Sequence, residues 1–162
     1  MSAAPATDAD RLWLDESEQR AWRAYVETVG DLTAALDADL APTGLNLGDY
    51  QVLVYLSEAD DRHMRMCDLA ESLRLSPSGL TRRLDGLVRD GLVVREGSAD
   101  DRRVMLAVLT DAGWERLREV APLHVASVRR RIFDHLRPAE VTALGSAFRS
   151  IAAGLRADST AD

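Results

Sequence analysis

Apolar residues recur along this chain with two different periods, and the switch between them outlines the elements. Trp22, Tyr25, Val26, Val29, Leu32, Leu36 and Leu40 follow one another mostly at spacings of three and four, the pattern of one face of a long helix. Pro42, Thr43 and Gly44 are expected to end it. Asn46 then offers an N-cap side chain and Asp49 a first-turn acid, ahead of a second helical face made by Tyr50, Leu53, Val54 and Ser57. That helix closes near Glu58, before the polar loop Asp60, Asp61, Arg62. Met66, Leu69, Ala70 and Leu73 predict a short third helix. For the fourth, Ser76 is an N-cap followed by Pro77 at the first helical position, where the missing N–H costs nothing, and Gly91 stands where a left-handed residue ends a helix. Leu80, Leu84, Leu87 and Val88 form its buried stripe. Ser78, Thr81, Arg82, Arg83, Asp85 and Arg89 lie on its other faces.

The period then shortens. Leu92, Val93 and Val94, and after them residues 104–109, are runs of apolar and β-branched residues that predict two short strands, joined by the polar loop 97–103 into a hairpin. Thr110 and Asp111 cap a fifth helix expected to reach about Leu136, with Pro122 marking a kink or early break. Pro138 opens a sixth, in which Val141, Leu144, Phe148, Ile151 and Leu155 keep the 3-4-3-4 spacing of a coiled-coil seam. No internal repeat interrupts this order.

Composition changes the picture in three ways. The 162 residues are 46% hydrophobic and 29% charged, enough apolar material for one ordinary core. The net charge of −7 argues against a phosphate-rich partner, but the charge is uneven: residues 62–103 hold nine arginines against seven acids, and the rest eleven against twenty. Only the middle of the chain is suited to a polyanion, and repulsion from the remainder is screened beyond a Debye length of ~10 Å. All 20 basic residues are arginine, which excludes chemistry that needs a lysine amine. A single cysteine makes no intrachain disulfide, and the first ten residues hold neither a basic residue nor an apolar run of signal-peptide length. A cytoplasmic location is the expectation. The longest strongly apolar run, Val52-Leu53-Val54-Tyr55-Leu56, falls far short of the ~18 residues that cross a bilayer.

Two short helices joined by a tight turn, the second opened by Ser-Pro and carrying small and basic residues outward, have the geometry of a helix-turn-helix. Ser78 and Thr81 are short enough to let a helix sink into a major groove, and Arg82 reaches guanine O6 and N7 with two parallel donors. A hairpin directly behind such a pair, bearing Asp101, Arg102 and Arg103 near its tip, is a wing. An arginine there is placed to enter a minor groove, where narrow A·T tracts deepen the negative potential. Asp101 is expected to brace a neighbouring arginine.

Taken together, these residues resemble the MarR family of bacterial transcription regulators. The resemblance is carried by Asp68-Leu69-Ala70, by Ser-Pro-Ser-Gly-Leu-Thr-Arg-Arg at 76–83, by Leu84-Asp85-Gly86-Leu87 running on to Gly91-Leu92-Val93, and by Asp101-Arg102-Arg103 ahead of Leu109-Thr110-Asp111-Ala112-Gly113. It covers roughly residues 12–156, and the combination is more specific than any one piece. It implies a mainly α fold with a small β-hairpin wing: a winged helix-turn-helix lobe at 46–110 and dimerisation helices at 12–45 and 111–157, flanked by an N-terminal tail at 1–11 and a C-terminal one at 158–162. The function implied is a sequence-specific regulator, a repressor by family prior, that binds double-stranded DNA at a pseudo-palindromic operator as a homodimer. Carried over by position, Ser76, Pro77, Ser78, Gly79, Thr81, Arg82 and Arg83 fall on the recognition helix, and Asp101, Arg102 and Arg103 on the wing, with Arg103 favoured over Arg102 for the minor groove. The apolar terminal helices independently call for a partner surface, since a small lobe does not need them to cover itself.

Similar proteins respond to a small aromatic or anionic effector, and Trp22, Arg23, Tyr25, Tyr50, Tyr55 and His63 are the candidates to line such a pocket. Cys67, near the start of the third helix and two residues from Arg65, is a candidate redox position, though a cap cysteine without that role is the favoured reading. His124 and His135 are eleven residues apart, about 16 Å along a helix, too far to share a metal, and are read as surface or interface residues. No metal, cofactor or catalytic residue is predicted. Phosphate loop, nucleophile elbow, zinc-protease and paired-cysteine motifs are all missing from the sequence. The alternative is a winged helix that binds protein, which salt dependence distinguishes from a DNA binder.

Overall fold

Local capping chemistry fixes where most elements begin. In the computed structural model, which describes residues 12–99, 101 and 103–159, the tail at 1–11, the last three residues and the wing's Arg102 lie outside the described residues. Helix α1, Glu16–Leu40, starts earlier than the apolar face suggests. Asp15 caps it, its Oδ1 accepting from the N–H groups of Ser17 (2.7 Å) and Glu18 (2.9 Å) while Glu18 accepts from the N–H of Asp15. The described residues fall into two compact units, divided between Ala35 and Leu36. In the first, the rings of Trp22 and Tyr25 stack at 5.7 Å and stand exposed, as do Val26 and Val29.

In the second unit, Pro42 sits in a short 3-10 turn and Gly44 (φ +78°) reverses the chain after α1 as expected. Helix α2, Leu47–Glu58, opens with a full capping box: the side chain of Asn46 accepts from the N–H of Asp49 at 2.9 Å, and Asp49 accepts in return from the N–H of Asn46 at 3.3 Å. Val52, Leu53 and Leu56 are fully buried against Leu69 of α3 (Met66–Ser72), Leu80, Leu84 and Leu87 of α4 (Pro77–Arg89), and Val120 of α5 (Asp111–Arg131). This is the core that holds the surface helices in place.

The sheet differs from the expected hairpin. Three strands, β1 (His63–Arg65), β2 (Val93–Gly97) and β3 (Met105–Leu109), form an antiparallel sheet in the order β1-β3-β2, with Met64 opposite Ala107 and Arg95 opposite Ala107 on the other side. Strand β1 has three residues, too few for alternation to show in a sequence. The chain enters it through Asp61 and Arg62, both left-handed (φ +50° and +58°), with the Arg62 guanidinium 4.6 Å above the Trp114 ring and 3.3 Å from Asp111.

Helix α5 corrects the expected end and removes the early break as one of the two expectations at Pro122. It stops at Arg131 and gives way to a 3-10 turn, Phe133–His135, instead of reaching Leu136, and it runs through Pro122 without breaking. Pro122 is exposed, as is Arg118 one turn earlier, so the carbonyl deprived of its donor is left to water. Arg129, Arg130 and Arg131 complement the negative end of the helix dipole. Asp39, near the end of α1, gathers this terminus: it accepts from Ser127 (2.5 Å), Arg130 (2.8 Å) and twice from Arg131 (both 3.1 Å). The hydrogen bonds from Arg131 and then Ser127 hold its carboxyl well below the usual carboxylate range.

Because α5 ends early, His124 and His135 do not share a helix. His124 is half-buried: it packs on Tyr50 of α2 with ring centroids 4.4 Å apart, and its Nδ1 is buried without a hydrogen bond. Burial pushes the His124 pKa below its ordinary value and that of Tyr50 above. A depressed histidine pKa means that the unfolded chain takes up the proton first. Stability is therefore expected to fall as pH drops through about 6.5, and denaturant midpoints between pH 8 and pH 5 should decline less steeply in His124→Phe than in the wild type. Parallel curves for the two proteins would contradict this.

Helix α6, Pro138–Ser159, extends two residues past the expected limit at 157. The apolar residues expected to form a seam are exposed in the single chain, with Ile151 at 57% and Leu155 at 64%.

Candidate nucleic-acid interface

Helices α3 and α4 are joined by a turn in which Arg74 is left-handed (φ +55°) and the N–H of Leu75 bonds back to the carbonyl of Ala70 at 2.9 Å. Ser76 then caps α4, its hydroxyl accepting from the N–H of Gly79 at 3.1 Å. The Ser78 hydroxyl lies 3.2 Å from that of Ser76, and Thr81 donates to the carbonyl of Pro77 at 3.0 Å. Ser76, Pro77, Ser78, Thr81 and Arg82 are exposed, and Gly79 is half-exposed. The outward face of the first turns of α4 is therefore low and polar, and Arg82 rises from it. Among the described residues no hydrogen bond or ion pair engages the Arg82 guanidinium.

Arg83 has a different task. Its Nη1 donates to the side chain of Asn46 at 2.7 Å and lies 3.8 Å from Asp49, so the guanidinium ties α4 to the capping box of α2. It rests directly against Gly48, where the Cβ of any other residue would collide with it. A cavity of about 430 Å³ opens beside this contact, with Arg82, Arg83 and Arg89 on its walls together with Asn46 and Asp49.

On the wing, Ser98 donates to the carbonyl of Val104 at 2.8 Å, and Val104 to that of Asp101 at 2.9 Å. The Asp101 carboxylate accepts from the backbone N–H of Arg103 at 2.9 Å. In the described contacts it thus shapes the turn through the backbone. Asp101 and Arg103 are exposed, and the Arg103 side chain has no partner among the described residues.

Behind the wing, Thr110 caps α5 by accepting from the N–H of Gly113 at 3.0 Å, and its hydroxyl reaches the carbonyls of Gly91 (2.8 Å) and Leu92 (3.1 Å). Gly91 is left-handed (φ +72°), which turns the chain from α4 into β2. The Leu-Thr-Asp-Ala-Gly segment is therefore a clamp between α5 and the start of the wing.

Sequence reasoning missed Asn46 and Gly48 as supports of α4, and Arg95, whose guanidinium reaches α4 from β2. One signal was present: Asp85 faces outward on a helix expected to meet phosphate, which makes sense only if a cation meets it.

The effector candidates fall in both units. Trp22, Arg23 and Tyr25 lie in the first unit. In the second, Tyr50 is buried against His124, whereas Tyr55 (38% exposed) sits five residues on, roughly 140° around the helix. His63 lines a separate cavity of about 390 Å³ with Asp60, Arg65, Asp68 and Ser98. Exposed Cys67 donates to the Asp68 carboxylate at 3.2 Å. Among the described residues no cluster of histidine, cysteine and carboxylate suits a metal, and no helix is long and apolar enough to cross a membrane.

Comparison with known proteins gives a consistent result. Residues 43–104 match the model of the MarR family. The HTH-type transcriptional repressor YetL of Bacillus subtilis is 31% identical over 114 residues, 68% of each chain. The crystal structure of AbsC, a MarR family transcriptional regulator from Streptomyces coelicolor, shares 46% identity with a TM-score of 0.83, covering 90% of this chain and 98% of AbsC. Sco3205 from the same organism, solved in complex with DNA, shares 39% identity with a TM-score of 0.82, covering 88% of this chain and 91% of its own. The winged helix-turn-helix that runs from the capped α4 to the Thr110 clamp thus has its counterpart in these relatives, and the chain belongs to the MarR family of transcriptional regulators.

Proposed function

We propose that this regulator is a sequence-specific DNA-binding repressor that meets a pseudo-palindromic operator as a homodimer, with α4 in the major groove and the wing in the adjacent minor groove. The observation that carries this reading is the first turns of α4, where exposed Ser78, Thr81 and an unengaged Arg82 form a low polar face beside a wing that ends in an exposed Arg103. An α-helix with such a face fits a major groove ~12 Å wide. Two relatives support it: Sco3205 was solved with DNA, and YetL is named a repressor. The acidic net charge of −7 is no obstacle, because the arginines that matter lie together on α4 and the wing.

Residues 46–110 act as the DNA-binding lobe, and 12–45 with 111–157 supply the dimerisation helices. Support comes from the apolar residues left exposed on α1 and along the seam of α6, a surface that water does not favour and a symmetric partner would cover. Two lobes related by a twofold axis then read half-sites about one helical turn, ~34 Å, apart.

The test is the mass in solution of the 17.8 kDa chain, free and on DNA. Sedimentation should give about twice that mass, and two chains on each operator. Ile151→Asp, which places a charge in the seam, should yield a folded monomer whose affinity for a palindromic duplex falls at least tenfold. A wild-type monomer that binds DNA as one chain would refute the dimeric reading.

A further inference from the structure

A guanidinium bridges the recognition helix and the wing. Arg95 stands on β2, two residues before the strand ends at Gly97, and its side chain, 28% exposed, crosses to α4. There Nη2 donates to the carbonyl of Thr81 and to the carboxylate of Asp85, both at 2.8 Å. The Arg95 Nε is buried and makes no hydrogen bond.

An unpaired buried donor is costly, so the geometry of this side chain is set by the two bonds it does make. Thr81 and Asp85 are one turn apart on α4 and face the same way. A nitrogen held by two acceptors so spaced is fixed both along the helix and across it. Asp85 contributes the stronger, charge-assisted bond, and the helix carbonyl accepts through its second lone pair.

DNA binding by α4 and the wing gives this contact a purpose, and the role inferred for Arg95 rests on that proposed function. Two elements that enter different grooves must hold a fixed angle. Asp101 lies six residues beyond Arg95, at most roughly 20 Å of chain, so a rotation of about 10° at the clamp would carry the wing tip by roughly 3 Å, the length of a hydrogen bond. We infer that Arg95 is a positioning residue for the wing: clamped to Thr81 and Asp85, it sets the angle at which Arg103 reaches the minor groove while α4 reads the major groove. It touches no DNA itself.

The test uses a duplex selected by the full-length wild-type protein from a random-sequence library. Arg95→Gln and Asp85→Asn should each weaken binding about tenfold, and the double variant should lose no more than the weaker single one. Hydroxyl-radical protection in the flanking minor grooves should fade in both, whereas dimethyl sulfate protection of guanines under α4 remains. Arg95→Lys, which keeps a cation in reach of both acceptors, should restore part of the minor-groove protection. Asp85→Asn keeps the shape of a half-exposed side chain, and each variant is confirmed as folded by its circular dichroism spectrum and a cooperative thermal unfolding curve. Unchanged footprints, equal loss of protection in both grooves, or losses that multiply in the double variant would each overturn the positioning role while leaving DNA binding intact. Failure of the wild type to enrich any duplex would overturn the DNA reading, and this role with it.

Discussion

Arg82→Ala is expected to weaken binding to the selected duplex by roughly 10- to 100-fold, or ~1–3 kcal/mol, and to relax base choice at one position of each half-site. Arg82 is exposed on α4 and engages no partner among the described residues, so its truncation leaves the fold intact. All of its loss should appear in recognition. Arg83 next to it gives the opposite expectation, because its guanidinium is occupied by Asn46 and Asp49. Arg83→Ala frees α4 from the start of α2 and should weaken specific and random duplexes alike. Arg103→Ala should cost most on sites with a narrow minor groove. Binding of the three variants to a panel of singly substituted duplexes separates these cases. Equal losses on selected and random DNA for Arg82→Ala would remove it from base readout.

Gly113→Ala is expected to destabilise the protein by about 3 kcal/mol or more, although it adds a single methyl group. Gly113 is buried in the first turn of α5, and a Cβ there would overlap the carbonyl oxygen of Leu92 and lie 2.7 Å from Cδ1 of Leu109. The tip of the Leu109 side chain can turn aside, but the backbone of Leu92 cannot give way cheaply. The Leu92 carbonyl also receives the N–H of Thr110 at 3.1 Å, and Leu109 pairs with Val93 across the sheet. Relief would therefore part α5 from the base of the wing. Denaturant unfolding measures the loss directly; a midpoint near that of the wild type would show that the close approach of α5 to Leu92 does not constrain the fold.

How much of the fold and of the interface was legible in the sequence depends on how far each signal travels. Ser76 with Pro77, Asn46 with Asp49, and Thr110 act within one turn of a helix, so cap and helix start coincided with expectation at each. The apolar residues at 3-4 spacing along α6 likewise stand exposed on a helix. Legibility failed where the chain meets itself. Strand β1 exists because β3 lies beside it, and three residues have no period of their own. Helix α5 ends where Asp39, some ninety residues earlier, collects Ser127, Arg130 and Arg131. Arg83 reads as a DNA contact on α4, and Arg95 as no more than one charge in the basic middle of the chain, until their acceptors, 37 and 10 to 14 residues away in sequence, are seen beside them. Beyond an acid such as Asp85 on a basic face, polar destinations of this kind leave no local trace, because a solvated arginine and a clamped one occupy the same place in a hydrophobic pattern. His124 shows the converse: a titratable residue, set among Val120, Ala121, Leu123 and Val125 in the sequence, is half-buried with the ring of Tyr50 packed against it.

That the face formed by α4 and the wing is built for DNA is tested most directly by the salt dependence of binding to a selected duplex and to a random one. A protein that displaces counterions from ~6 phosphates should show a log–log slope near −5 on the selected duplex, with random DNA weaker by a factor of roughly a thousand or more at physiological salt. Binding that hardly changes with salt, or that treats the two duplexes alike, would contradict the claim and assign this face to another partner.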